Sequence, residues 1–554
     1  MPEQDHFADA RSGPCRESGF ICRSLWGGLG LACLSGVCLI LSFPQFTLSG
    51  LAWFALVPLL VALRGRDLKA AFTLSSLTSL ISFSGIFYWI WTVGTFHVLD
   101  YLLLAVYFSL YGGVFGLGLN WFRERTGLPA IALAPPFWVS LEYARAHAWF
   151  LSAPWMLLGH SQYAHPILTQ IVSVTGVYGL SFVIVCVNVA VADVIIGGIR
   201  FFRHRASAPG MFPPAVRASA IVAASLLLGT VVFGMRSMAR TGSVEHLNIA
   251  LLQGDVPQAQ KWDRASIETI VNSYERMTRQ AAAQSPVLIV WPETAVPADV
   301  SRDPALRERL ERLALDTKAY LLIGAAPSAK FHKKPFRGKY FNSLFLFSPQ
   351  GRLEEEHRKI LPVPFGEYDP LHGIVRWPQA LIAAMGSVVP GDRYTIFRLP
   401  DASFGAVICW ESIFPDLFRE FVRQGARFMV NATDESWFHV VGASSQFLAM
   451  TTFRAIENGV SIVRAANAGI SAVIDPFGRI TQQLASPTSL ALPEEGIVVA
   501  QIALSNGATF YTSYGDVFAF VQIAFCGILV AFLLARACVL RWGRAGLGIK
   551  GIGN

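Results

Sequence analysis

Apolar positions along the chain fall into two arrangements. From about 25 to 235, and again near 515–536, they run on for roughly 20 residues at a time with few charges, the length needed to cross a bilayer. Between about 240 and 510 they come instead as short bursts separated by polar stretches. The long runs predict about eight transmembrane (TM) helices, at 25–44, 48–64, 71–93, 101–122, 129–148, 172–198, 217–235 and 515–536, the second being the weakest because it is short and contains Pro58.

The short bursts predict strands at Leu247–Leu252, Val287–Trp291, Tyr320–Ile323, Ser343–Phe347, Phe404–Ile408, Phe428–Val430, Ile462–Ala465 and Ile497–Ile502. Helical patterns lie between several of them, at Ala265–Ala283, Pro304–Lys318, Pro415–Gln424 and Ser444–Glu457, and Asp475–Gly478 reads as a hairpin turn. Strands alternating with helices predict a layered α/β domain. The expected organisation is a segment 1–24, a membrane domain 25–238 with seven spans, an α/β domain 239–510, a last span 511–538 and a tail 539–554.

Charge sets the orientation. Charged residues are only 15% of the chain against roughly 25% in soluble proteins, and hydrophobic residues are 53%. The formal charge of +8 raises the question of nucleic acid, but the basic residues cluster between apolar runs, which is a topology signal. Arg64, Arg66 and Lys69 follow the second run, Arg123 and Arg125 the fourth, and Arg200, Arg203, Arg205 and Arg217 separate the sixth from the seventh. The alternate loops 46–50 and 95–100 contain no Lys or Arg. By the positive-inside rule both termini are cytoplasmic and the α/β domain is extracytoplasmic. The first apolar run lacks a clean small-residue cleavage site and is expected to be an uncleaved span.

Near the outer end of the fifth run, Glu142 and Arg145 share a helical face with His147 close by. They are either functional intramembrane charges or an interfacial pair that snorkels. Trp138, Trp149 and Trp155 read as belt aromatics. Internal repeats, a phosphate-cradling Gly-rich loop and Cys/His zinc spacing are all missing from the sequence. The histidines at 246, 332, 357, 372 and 439 form no metal pattern, so neither metal nor organic cofactor is expected.

Of eight cysteines, only Cys409 lies in the polar segment, so it is either a small buried hydrophobe or a nucleophile. Its neighbours favour the nucleophile. Three strand ends or loops present polar groups after apolar runs, where α/β folds collect active-site residues: Val287–Thr294 ending in Glu293, Lys359–Tyr368 with Lys359 and Glu367, and Phe404–Glu411 with Cys409. A thiol attacking an acyl carbonyl needs a base and an oxyanion-stabilising donor; Glu293 suits the first role and Lys359 the second. Lys359 and a following helix start are also expected to lower the thiol pKa.

These segments resemble the Glu-Lys-Cys triad of the nitrilase, or carbon–nitrogen hydrolase, superfamily. The eight-span frame, with Gln253-Gly254, Pro257-Gln258, Lys261-Trp262, Trp291–Thr294, Pro364–Tyr368, Cys409–Glu411, Asn431–Phe438 and Arg454–Gly469, is similar to the apolipoprotein N-acyltransferase family. The resemblance implies an α-β-β-α sandwich on a helical membrane base. It implies Glu293 as general base, Lys359 as oxyanion cation and Cys409 as the nucleophile carrying an acyl thioester. Glu367 would support the lysine, Trp410 and Glu411 would flank the nucleophile with the Trp410 N–H completing the oxyanion hole, and Trp262 and Trp437 would handle substrate. The wording of the Asn431–Trp437 loop departs from the family's usual Asn-x-x-Asn/Asp-x-Trp.

The implied reaction moves an acyl chain from a phospholipid, typically phosphatidylethanolamine, to the amine of an S-diacylglyceryl cysteine at a lipoprotein's N-terminus. The implied place is the bacterial cytoplasmic (inner) membrane, with the catalytic domain periplasmic. The first rival is a membrane-tethered amidase that hydrolyses a small C–N compound. The second is a transporter or binding protein whose outer domain has lost catalysis, disfavoured by the intact triad and by spans poor in charge.

Overall fold

The structure, a computed structural model, describes residues 25–94, 98–203, 213–239, 245–327, 339–377, 388–438, 440–484, 494–505 and 507–548. The expected segment 1–24 and the end of the expected tail, 549–554, lie outside these residues.

Before the polar segment come α1 (Leu25–Ser42), α2 (Val57–Ala62), α3 (Leu68–Ile86), α4 (Val98–Thr126), α5 (Ala130–Ala146), α6 (Val177–Arg203) and α7 (Pro214–Met238). Among the described residues, four stretches are long and apolar enough to cross a membrane: Val98–Thr126, Val177–Ile199, Pro214–Met238 and Val517–Val539. Helices α1, α3 and α5 stand at three further predicted spans but have 18, 19 and 17 residues. The weak second run breaks into a 3-10 turn, Ser49–Trp53, and the six-residue α2, with Pro58 in its first turn. Proline starts a helix more readily than it continues one. The break is satisfied from α6, where Asn188 accepts from the Leu56 N–H at 2.8 Å and donates to the Ala52 carbonyl at 2.9 Å. Helices α3 and α4 approach so closely that a Cβ at Gly112 or Gly116 would collide with Ser79 or Ser75, the small-residue packing of membrane helices.

The polar segment folds into two six-stranded sheets. The first has the order β12-β1-β2-β3-β4-β5, from β1 (His246–Gln253), β2 (Leu288–Val290), β3 (Tyr320–Ala325), β4 (Ser343–Phe347), β5 (Leu353–Arg358) and β12 (Gly496–Ala503). The second has the order β11-β10-β9-β8-β7-β6, from β6 (Ile396–Arg398), β7 (Ser403–Ile408), β8 (Phe428–Thr433), β9 (Ser461–Ala466), β10 (Ala472–Ile474) and β11 (Ile480–Gln483). Strands β1, β2 and β3 run parallel in the first sheet, as do β7, β8 and β9 in the second.

Alternation along each strand builds the layers. From β1, Leu247, Ile249 and Leu251 point into a core shared with Phe404, Ala406 and Ile408 of β7, between the sheets. Ala250 and Leu252 point the other way, into a core with α8 (Ile267–Ala282) and α9 (Pro304–Thr317). On the far side, Val407 and Met429 pack against α10 (Pro415–Arg423) and α11 (Val441–Asn458). The result is the expected α-β-β-α sandwich.

Helix α11 joins the sandwich to the membrane helices. Phe447 and Met450 enter a cluster with Phe43, Ile86, Trp89, Phe108 and Trp155, while Phe453 and Ile456 join the core of the membrane helices. Gln446 of α11 accepts from the indoles of Trp89 (3.2 Å) and Trp155 (2.8 Å) and donates to the Ile86 carbonyl (2.9 Å). The belt reading of Trp155 is therefore corrected: it is buried as a strut between the two parts, whereas Trp149 is exposed. Glu142 and Arg145 do not snorkel. Both are buried, Glu142 accepting from the Leu158 N–H at 2.7 Å and Arg145 donating to the Trp155 carbonyl at 2.9 Å with its guanidinium over Phe83 and Phe108. His147 points to the α/β domain, with Nε2 3.0 Å from Asp416 Oδ2 and 4.0 Å from Asp516 Oδ2 at the head of α12 (Val517–Gly548).

Candidate active site

Glu293, Lys359 and Cys409 leave the two sheets at one end and meet. Strand β2 ends at Val290, and Trp291-Pro292 carries the chain to Glu293; Lys359 directly follows β5, and Cys409 directly follows β7. Glu293 and Lys359 thus come from one sheet and Cys409 from the other. Cys409 has a φ of +57°, in the left-handed region that a residue with a Cβ seldom enters. The chain turns sharply there from β7 into a 3-10 turn, Cys409–Ile413, with the half-buried Cys409 at the apex. Held strain of this kind is a mark of functional positions.

The buried Glu293 carboxylate is fixed at both oxygens. Oε1 accepts from Asn342 Nδ2 at 2.6 Å and Oε2 from the Asp434 N–H at 2.8 Å. Lys359 Nζ donates to Glu367 Oε1 at 2.7 Å and lies 3.6 Å from Glu293 Oε1. Glu367 also accepts from the Val363 N–H at 2.6 Å, so its loop closes on itself around the lysine. Glu411 ties the nucleophile's strand to the lysine's loop: Oε2 accepts from the Ile408 N–H at 2.7 Å, and Oε1 from the N–H groups of Ile360 and Leu361 at 2.7 and 2.8 Å. The indole of Trp410 donates to the Leu361 carbonyl at 2.6 Å and pins the same two segments.

Burial pushes the Cys409 thiol far above its ordinary range, and the Glu293 carboxylate adds to this while Lys359 opposes it. The expectation of a lowered thiol pKa is therefore corrected: the lysine pulls in the predicted direction, but desolvation and carboxylates win. Burial also raises the Glu293 carboxyl, with Lys359 opposing and Glu367 adding. Burial depresses the Lys359 ammonium, yet Glu367 and Glu293 reverse the effect and hold it firmly charged. A neutral thiol beside a fixed carboxylate and a permanent cation suits proton removal during attack, followed by oxyanion stabilisation.

Trp262 and Trp437 lie on two neighbouring loops. Trp262 is 48% exposed with its ring 6.2 Å from that of Tyr340, and Trp437 is half-buried beyond β8. The structure thus gathers Glu293, Lys359, Glu367, Cys409, Trp410 and Glu411 at one end of the two sheets. Three further groups were not singled out from the sequence: Asn342 on Glu293, Asp434 on Glu293, and Asn431, whose Nδ2 donates to the Cys409 carbonyl at 3.2 Å. Asn431 is itself held by the buried Arg464, which also pairs with Glu435. Asn431 and Asp434 lie within the Asn431–Trp437 loop that carries part of the family resemblance, whereas Asn342 carries no sequence signal.

Two domain families match the chain: the apolipoprotein N-acyltransferase N-terminal domain over residues 35–190 and the carbon-nitrogen hydrolase domain over residues 248–510. The apolipoprotein N-acyltransferase of Geobacter metallireducens is 37% identical over 518 residues, covering 92% of this chain and 96% of its own. The chain belongs to the apolipoprotein N-acyltransferase family. That of Chlorobaculum tepidum is 28% identical over 543 residues, covering 94% of this chain and 98% of its own. Among solved structures, a nitrilase-superfamily member from Saccharomyces cerevisiae superposes on 48% of this chain and 93% of its own, with 19% identity and a TM-score of 0.36.

Proposed function

We propose that this family member transfers an acyl chain from phosphatidylethanolamine to the N-terminal amine of a diacylated lipoprotein through a thioester on Cys409. Family membership makes it a membrane acyltransferase with lipid and lipoprotein substrates. The observation that carries the finer reading is the convergence of Glu293, Lys359 and Cys409 from two facing sheets, in a sandwich whose helix α11 is packed into the membrane helices.

In the first half-reaction, Glu293 takes the thiol proton as sulfur attacks the ester carbonyl, and the oxyanion forms against Lys359. Collapse expels the lysophospholipid alkoxide, which takes the proton back from Glu293. In the second, the lipoprotein amine attacks the thioester, Glu293 receives an amine proton, and thiolate leaves to be reprotonated. Glu367 and Glu411 hold the lysine and the elbow in register. Trp262 and Trp437 are assigned to substrate handling.

The eight-span arrangement, with the membrane part in 25–238 and 511–538 and the catalytic domain 239–510 on the periplasmic face of the inner membrane, belongs to the same proposal. The charge asymmetry of the loops supports it. Cys409→Ala tests the reading: it folds and inserts normally but transfers no acyl chain, and unimpaired transfer by that variant refutes it. An amidase would instead turn over soluble amides in the absence of lipid.

A further inference from the structure

Lysines are among the residues least often fully buried, and one that is buried needs partners for its charge. Lys261, on the one-turn helix Gln258–Lys261, is 1% exposed. Its ammonium donates to Asp434 Oδ2 at 2.5 Å and to the backbone carbonyl of Glu293 at 2.9 Å. Asp434, 3% exposed, donates its own N–H to Glu293 Oε2. Its Oδ1 is occupied by the Ser436 N–H and hydroxyl and by Asn467 Nδ2. The pair therefore grips Glu293 from both sides, at its backbone and at its carboxylate. The same contacts fasten the Trp262 loop to the Trp437 loop, where Ser436 Oγ lies 3.0 Å from the Gln258 side-chain amide.

We propose that Lys261 and Asp434 are a positioning pair for the general base, fixing Glu293 and coupling its placement to the two tryptophan-bearing loops. The proposal rests on Glu293 being the base. A displacement of about 1 Å at such a group costs roughly 10²-fold in rate. Among the described residues, the charged and titratable groups facing Glu293 are Lys359, Glu367, Asp434, Lys261, Cys409 and Tyr340. Lys261 favours its ionised form and Asp434 disfavours it, so the two substitutions move its titration in opposite directions.

The test is the pH dependence of acyl-enzyme formation on the full-length protein in detergent, with phosphatidylethanolamine as donor. Lys261→Met is expected to lower kcat roughly 10²-fold with KM little changed, and to move the acidic limb to higher pH. Asp434→Asn moves that limb to lower pH, and Lys261→Arg recovers part of the rate lost in Lys261→Met. Lys261→Met leaves a buried carboxylate without its counter-charge, so the neutral double variant Lys261→Met/Asp434→Asn is made in parallel. Its limb returns toward the wild-type position while kcat stays low. Unmoved limbs, or a wild-type kcat in the folded double variant, overturn the positioning role. Glu293→Gln is run beside them: acyl-enzyme formation at the wild-type rate in that variant overturns the assignment of the base itself, a failure separate from that of the pair.

Discussion

Lys359 is held by Glu367: its ammonium donates to Glu367 Oε1 at 2.7 Å and keeps Glu293 Oε1 at the longer distance of 3.6 Å. The lysine is thereby anchored by one carboxylate and left beside the other, so the base is not consumed in a tight ion pair. Glu367→Gln keeps the shape but weakens the anchor. It is expected to lower kcat/KM by about 10–100-fold with folding retained, measured as lysophospholipid release.

Glu411 has a different task. Its two oxygens serve three N–H groups, a buried one on the strand before the nucleophile and two partly buried ones on the loop after the lysine. Glu411→Ala orphans all three, at about 1–3 kcal/mol for each group left unsatisfied. A fall in Tm together with loss of thioester formation is the expected outcome, measured by thermal unfolding and lipid release. Unchanged stability would show that the two segments are held by other contacts.

The pH dependence of the first half-reaction is set by Glu293, which must be ionised to accept the thiol proton. Burial raises its folded-state pKa above the ordinary 4.5. Activity is therefore fully present above that raised value and disappears as pH falls through it. The acidic limb of kcat is expected above the ordinary carboxylate range, and a limb at or below 4.5 would contradict the buried placement.

The pattern of apolar runs was sufficient for a layered α/β domain and for β2 and β7, the strands that lead to Glu293 and Cys409, because both are buried and read as continuous apolar bursts, whereas the two-sheet sandwich was implied by the family resemblance. Four strands were not legible: Leu353–Arg358, Ile396–Arg398, Ala472–Ile474 and Ile480–Gln483. β5, β6 and β11 are sheet edges, where one side meets solvent; β5 reads Leu-Glu-Glu-Glu-His-Arg and imitates a surface loop. β10 has only three residues. The contacts of Asn342 and Asp434 with Glu293 join positions 49 and 141 residues apart, which no local spacing encodes. The thiol's raised pKa was likewise invisible, since it depends on how far water is excluded rather than on which residues are nearby.

His357 illustrates a buried group outside the chemistry. It is fully buried on β5, edge-on to Phe421, and neither ring nitrogen has a hydrogen-bond partner among the described residues. Burial, and secondarily Arg393, lowers its pKa from 6.5 to about 3. A base depressed in the folded state contributes stability above its unfolded pKa, and that contribution is lost as pH falls from 6.5 toward about 3. His357→Phe removes the titration and satisfies the apolar site, so its stability at pH 5 should exceed that of wild type by on the order of 1–2 kcal/mol. Chemical denaturation at pH 5 and pH 8 measures it, with the advantage shrinking at the higher pH.

The central claim is that Cys409 carries the acyl group, and intact mass spectrometry tests it most directly. Purified protein and its Cys409→Ser variant are incubated with phosphatidylethanolamine in detergent and weighed before and after treatment with neutral hydroxylamine. A fatty-acyl increment on the wild type alone, removed by hydroxylamine, is the predicted result. Folded wild-type protein that gains no mass, or a hydroxylamine-sensitive increment on the variant as well, would contradict it.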